Sequence, residues 1–141
     1  MKIHGEHRLI LVFILLVLFV FPAIGVTPQR KFLVANASGE GTIKFGQEEF
    51  KLHSVVVKLF ADGKAEINLV TDITVFITGK WTKSADPKTI DLEITGTVTE
   101  GRLDGGGKLL LTNDRKSIAG LNLEVVNKFT KNKITIDFTA K

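Results

Sequence analysis

The chain has 141 residues, with 19 Lys and Arg against 15 Asp and Glu, and it has no cysteine. This length leaves room for one domain, and the lack of cysteine excludes a disulfide framework, a thiolate zinc site and a cysteine nucleophile. The charges are interspersed without a block of five like charges, which argues against a nucleic-acid-binding surface.

The first 25 residues have the order of a secretory signal. Lys2 and Arg8 precede an unbroken apolar run, residues 9–21, and Ala23-Ile24-Gly25 follows it. This order predicts a leader at 1–25 that is cleaved, and therefore a secreted or extracytoplasmic protein. The run is shorter than the roughly 20 residues that cross a bilayer, although a slightly longer stretch leaves an uncleaved anchor as the alternative.

Residues 26–38 form a predicted lead-in segment before the β domain at 39–141. The segment contains Pro28, the basic pair Arg30-Lys31 and a small apolar patch, Phe32-Leu33-Val34. Its composition favours a linker that ends in a first short strand. The alternative is a segment that pairs with a sheet edge, either in the same molecule or in a neighbour.

From Gly39 onwards the sequence predicts strands and no helix. The alternation of apolar and polar residues that marks a half-buried strand is clearest in Thr89–Thr99. The eight predicted strands are 39–45, 49–60, 64–71, 73–81, 89–99, 102–112, 116–127 and 134–139. In the seventh, Ile118, Leu121 and Val125 also fit a helical spacing, but the glycine at 120 disfavours a helix.

Two strands contain predicted irregularities. In the second strand Phe50 and Leu52 fall at even-numbered positions, while Val55, Val57 and Leu59 fall at odd-numbered positions. A β-bulge near His53-Ser54 would bring both halves onto one face. In the sixth strand, Gly105-Gly106-Gly107 predicts a bulge or a sharp bend at a barrel corner.

Short connections between the eight strands predict an up-and-down antiparallel meander. Such a meander leaves two exposed edges unless it closes, so an all-β closed small barrel is the expected fold and a β-sandwich the alternative. An eight-stranded barrel has an interior that side chains just fill or that holds one small ligand. An outer-membrane barrel is disfavoured because the chain lacks aromatic girdles.

One short motif resembles a known family. Gly79-Lys80-Trp81 at a strand end resembles the G-x-W signature of the calycin barrels, which include lipocalins and avidins. The resemblance implies a closed barrel that holds a small apolar molecule, and it implies that Trp81 closes the barrel floor as the lipocalin tryptophan does. Trp81 is the one candidate ligand-binding residue, and a buried plug is the alternative role for it.

The sequence shows no convergent catalytic or metal-binding set. His53 is the only histidine after the leader and has no acid or nucleophile beside it on a regular strand. Asp91 and Glu93 share a strand face with threonines, as expected for a solvent side. Gly105-Gly106-Gly107-Lys108 lacks the spacing and the following helix of a phosphate loop. We therefore expect no catalytic residue, no metal and no cofactor.

These patterns lead to a ranked set of functions. The leading hypothesis is an exported, non-catalytic barrel that binds a small apolar molecule. The alternative is a structural or interaction protein of the cell envelope that pairs through a sheet edge. An enzyme is the weakest interpretation, and a nucleic-acid partner is not expected.

Overall fold

The computed structural model describes residues 30–97 and 101–141. It contains eight strands: β1 (Lys31–Phe45), β2 (Glu48–Phe60), β3 (Lys64–Val70), β4 (Thr74–Lys83), β5 (Thr89–Thr97), β6 (Gly101–Leu111), β7 (Ile118–Asn127) and β8 (Lys133–Ala140). The predicted leader at 1–25 and the predicted end of the fifth strand lie outside the described residues. Within the described ranges, no helix is long and apolar enough to cross a membrane.

The strands form a closed barrel in chain order. Each strand pairs antiparallel with the next, and β8 pairs back onto β1 from Gly39↔Ala140 to Phe45↔Ile134. The predicted eight-stranded meander and its closure are confirmed, and the sandwich alternative is excluded. Closure leaves no free edge along the β1–β8 seam from Gly39 onwards, because β8 supplies the partner there.

The barrel interior is apolar and its outer face is largely polar. In β7, Leu121, Leu123 and Val125 are buried and alternate with exposed Asn122 and Glu124. This is the two-residue period of a strand, so the helical alternative for this segment is wrong. The same alternation in the other strands produces one continuous core inside the barrel.

The predicted phase change in β2 is confirmed. The β1–β2 register passes from Ser38↔Ser54 to Gly41↔Leu52, so two residues of β1 face His53 alone. Leu52 and the later residues Val55, Val57 and Leu59 are buried despite their different parity, whereas Phe50, expected on the same face, is 44% exposed. A register irregularity of this kind lets the strand bend while its apolar side chains remain inside.

The glycine run in β6 also acts as predicted, at a sharp bend. Gly105 has a φ of 137°, and the β5–β6 register shifts beside it, between Ile94 and Gly96. A side chain at Gly107 would meet the backbone carbonyl of Asn122 on β7. The neighbouring strands approach so closely here that only glycine fits.

The first strand begins earlier than the sequence predicts. β1 starts at Lys31, and its first half, residues 31–38, pairs with β2. Among the described residues, β8 pairs with β1 only from Gly39 onwards. Much of the predicted lead-in segment therefore lies in an intramolecular strand. This agrees with the alternative in which the segment pairs with a sheet edge of the same molecule, and its partner is residues 54–60 of β2.

Candidate functional site: the barrel mouth

The two ends of the barrel differ. One end, which we call the rim, carries the β1–β2, β3–β4 and β7–β8 turns. The opposite or far end carries the β2–β3 turn and the β4–β5 and β6–β7 loops. A pocket of about 210 Å³ opens at the rim, between the β1–β2 and β3–β4 hairpins. We call this pocket the mouth; it is lined by Ile43, Phe45, Glu48, Phe50, Thr71, Ile73 and Val75.

The mouth is apolar at its base and polar only at its lip. Ile43, which is 1% exposed, forms its floor. The rings of Phe45 and Phe50 meet edge to face with centroids 5.7 Å apart. Glu48 and Thr71 supply the polar atoms. This arrangement of an apolar floor and a few polar groups at the entrance is typical of a small binding pocket.

The β3–β4 turn holds one side of the mouth open. The Thr71 hydroxyl donates to the carbonyl of Ile73 at 2.7 Å and accepts from its N–H at 3.2 Å. Ile73 is 72% exposed, and β4 begins at Thr74. The sequence predicts that the fourth strand begins at Ile73. It lies instead in the β3–β4 turn. There the two hydrogen bonds with the Thr71 hydroxyl hold its backbone, and its side chain is exposed at the lip of the mouth.

Below the mouth the barrel is packed. The space that continues below the mouth, bounded by residues that include Leu69, Leu103 and Val125, has a volume of about 10 Å³. A space of this size is at or below the minimum for a single water molecule. The barrel centre therefore has no lumen for a ligand, and the mouth is the place where an apolar group can enter.

Trp81 lies at the far end, away from the mouth. Its indole stacks on Phe32, with ring centroids 4.7 Å apart, and its Nε1 donates to the carbonyl of Phe60 at 2.8 Å. The Lys83 ammonium sits 5.3 Å from the centroid of the Phe32 ring. One face of the Trp81 indole is thus covered by Phe32, and its one polar atom is hydrogen-bonded to the backbone. This geometry favours the plug role over ligand stacking.

A second groove lies at the far end, where Phe32 stacks on Trp81. It has a volume of about 330 Å³ and is lined by Phe32 and Leu33 of β1, by the β4–β5 loop, and by Ile90, Leu111 and Arg115. Since β1 contributes to the same groove as β5 and β6, its first half must cross the far end of the barrel. That crossing covers the floor of the barrel.

The other candidate residues do not form a site. His53 is exposed on β2, and Asp91 forms an ion pair with Lys108, Nζ to Oδ1 3.4 Å, on the outer face. Glu93 is also exposed on that face. In the part of the chain that the structure describes, no three His, Asp or Glu side chains come together as metal ligands would.

Three surface carboxyl groups have a lowered pKa because neighbouring residues donate hydrogen bonds to them. The N–H of Lys88 and then the hydroxyl of Thr89 hold the pKa of Asp86 below its ordinary value of 3.8. The Thr112 hydroxyl lowers the pKa of Asp114 in the same way, and a hydrogen bond from Lys141 lowers that of Glu40. These shifts belong to loop and strand-end hydrogen bonds, and none of the three lines the mouth.

The mouth residues were not identified from the sequence as a site. A signal was nevertheless present, because Phe45 and Phe50 flank the Gly46-Gln47 turn and Ile73 stands between polar residues of another turn. Comparison of the chain with protein-family models, curated proteins and solved structures finds no match.

Proposed function

We propose that this protein is an exported, non-catalytic β-barrel that binds the small apolar part of a ligand at its mouth. The single observation that carries the proposal is the open apolar pocket of about 210 Å³ above an otherwise filled interior. An apolar cavity of about 150 Å³ lined by similar side chains is large enough to bind benzene. Pockets for whole drug-sized ligands start at about 300 Å³. The mouth thus suits one ring or the end of an alkyl chain.

The apolar character of the walls sets the expected ligand chemistry. Ile43, Phe45 and Val75 offer no hydrogen bond, so the enclosed part of the ligand must be hydrocarbon. Glu48 and Thr71 at the lip can contact a polar group that stays in water. A molecule with an apolar end and a polar body, cationic or neutral because of Glu48, fits this distribution.

The test is a titration of the protein with benzene, in which NMR records the chemical shifts of the side-chain methyl groups. Saturable shifts of the Ile43 and Val75 methyls are expected, while the methyls of Leu109 and Leu121, both 0% exposed in the packed core, remain unchanged. The variant Val75→Phe fills the mouth and should abolish the response. Val34→Phe, at a 52% exposed position far from the mouth, is the matched control.

Two results would refute this function. One is a linear shift without saturation, which indicates only solvent effects. The other is a saturable response that persists in Val75→Phe, which places the bound molecule elsewhere. In both cases the folded state of each variant is checked by the dispersion of the remaining methyl signals.

A second candidate function is pairing through a sheet edge. The observation that favours it is the first half of β1, residues 31–38, whose pairing in the described structure is with β2 alone. Phe32 and Val34 on this segment are 50% and 52% exposed. A strand with a free edge and apolar side chains can receive a strand from another molecule.

Amide hydrogen exchange distinguishes this second candidate from the first. In an isolated molecule, amides of residues 31–38 that point away from β2 should exchange rapidly, while those of residues 41–45 are protected. If the edge pairs with a second copy, protection of 31–38 will increase with protein concentration. Fast exchange at all concentrations would remove self-pairing as the function.

A further inference from the structure

The tip of the β7–β8 hairpin presents an aromatic side chain to solvent. Phe129 is 76% exposed, the largest exposure of any large apolar residue in the described ranges. An exposed phenylalanine costs solubility and contributes nothing to the core. A single exposed ring is ordinary on a protein surface, so its meaning depends on the groups that surround it.

The hairpin tip is held in place by a buried residue. Asn127 is 3% exposed, and its Oδ1 accepts hydrogen bonds from the N–H groups of Phe129 at 2.9 Å and Thr130 at 3.1 Å. The N–H of Lys131 donates to the Asn127 carbonyl at 2.9 Å. Three hydrogen bonds thus fix the turn, so Phe129 is displayed by a pre-organised loop.

Cationic side chains surround this aromatic tip. Lys128 and Lys131 flank Phe129 in the chain, and both are exposed. The N–H of Lys128 donates to the Arg102 carbonyl at 3.0 Å, which brings a third exposed cation beside them. Lys133 is less available, because its Nζ lies 2.7 Å from Glu124.

Acidic groups on the rim are carried by other hairpins. Asp72 lies in the β3–β4 turn, half a circuit from the β7–β8 turn, and Glu48 and Glu49 lie at the start of β2, on the neighbouring hairpin. The exposed ring is thus accompanied in its own hairpin by Lys128 and Lys131, and this tip matches an anionic surface.

We propose that the β7–β8 hairpin tip docks onto an anionic lipid bilayer. Phe129 enters the interfacial region, where an aromatic ring is favourable, while Arg102, Lys128 and Lys131 contact the lipid phosphates. An apolar anchor and a cluster of cations together supply two attractions to an anionic bilayer, burial of apolar area and opposite charge. This docking is independent of ligand binding at the mouth.

The experiment uses the full chain, which has no native cysteine and so accepts a single fluorescent label. An environment-sensitive nitrobenzoxadiazole label is attached in Thr130→Cys beside the tip, or in Lys116→Cys at the far end. Vesicles are made of phosphatidylcholine alone or with phosphatidylglycerol. A blue shift is expected for the label at 130 but not for that at 116, and only with the anionic vesicles. Added salt should weaken it.

Variants identify the groups responsible. In the chain labelled at 130, Phe129→Ser should lower vesicle affinity about tenfold, from the lost burial of the ring. Each of Lys128→Gln and Lys131→Gln should lower it about fivefold. Val34→Ser, at the far end, is the matched control and should leave affinity unchanged. Val75→Phe should also leave it unchanged, which separates this result from that for the mouth.

Three outcomes would overturn the proposal. A response of the label at 116 equal to that at 130 would mean that another part of the chain binds the vesicle. No response with anionic vesicles, or unchanged affinity in Phe129→Ser, would mean that the tip does not meet lipid. A blue shift without vesicles that grows with protein concentration would assign the tip to a protein contact instead.

Discussion

The indole of Trp81 on β4 stacks on the ring of Phe32 on β1, with centroids 4.7 Å apart and planes inclined at 26°. These strands are separated in the barrel by β2 and β3, so the contact shows that the start of β1 crosses the far end. The far end is thereby covered, while the rim remains open above Ile43. We place the candidate binding site at the rim because the mouth reaches the barrel core at Ile43.

The first prediction concerns this contact. Phe32→Ala should lower the free energy of unfolding by about 1–2 kcal/mol, because a stacked aromatic pair contributes about 0.5–1.5 kcal/mol beyond the area it buries. Urea denaturation measures the change. Phe129→Ala, at a 76% exposed position, is the control and should stay within about 0.5 kcal/mol of the original protein. Equal losses in the two variants would contradict the assigned role of the stack.

A second prediction uses two adjacent leucines on β6. Leu109 is 0% exposed and faces Leu121 across the β6–β7 pair, whereas Leu110 is 37% exposed on the outer face. Leu109→Ala should cost about 2–5 kcal/mol through the cavity it leaves. Leu110→Ala should cost well under half of that. Thermal or urea unfolding would reveal a reversed order, which would mean that the strand register is wrong.

The alternation that motivates this comparison explains why the barrel could be predicted from the sequence. Each strand carries its own period-two pattern, as in Leu121, Leu123 and Val125, and short turns leave few topologies to choose from. The phase change at His53 and the glycines of β6 were also visible, because their cause is local. These features require no knowledge of distant partners.

The features that the sequence did not reveal depend on contacts across the fold. The start of β1 is a strand because residues 54–60 pair with it, whereas its composition left a linker and an edge-pairing segment as alternatives. In the mouth, Ile43 and Phe50 are partners across the β1–β2 pair, but Val75 comes from β4, and only the curvature of the sheet brings it to them. The resemblance of Gly79-Lys80-Trp81 to the calycin signature stays a prediction, since no compared family or structure matches the chain.

A third prediction tests the close approach of strands at the β6 bend. Gly107→Ala should destabilise the protein by about 1–3 kcal/mol, because the added Cβ meets the Asn122 carbonyl on β7. Gly96→Ala is the matched control, because the atom nearest to its added Cβ, the Gly101 carbonyl oxygen, is 3.3 Å away. It should remain within about 1 kcal/mol of the original protein. Similar losses in both would argue against tight packing at 107.

A fourth prediction follows from Asp86 in the β4–β5 loop. Its pKa lies below the ordinary 3.8 because the N–H of Lys88 and the hydroxyl of Thr89 stabilise the carboxylate. The folded state therefore favours the charged form, and this contribution is present above pH 3.8 and lost as the pH falls through the lowered pKa. The stability difference between the original protein and Asp86→Asn should shrink on acidification. A difference independent of pH would contradict the assignment.

The central claim is that the barrel has one open apolar pocket at the rim and a filled interior. A crystal structure determined under xenon pressure tests it most directly, because xenon enters apolar cavities large enough to hold it. The expected result is a xenon peak in the mouth, in contact with Ile43, Phe45 and Val75, with none between Leu69 and Leu103 in the barrel centre. An empty mouth, or xenon in the barrel centre, would contradict the claim.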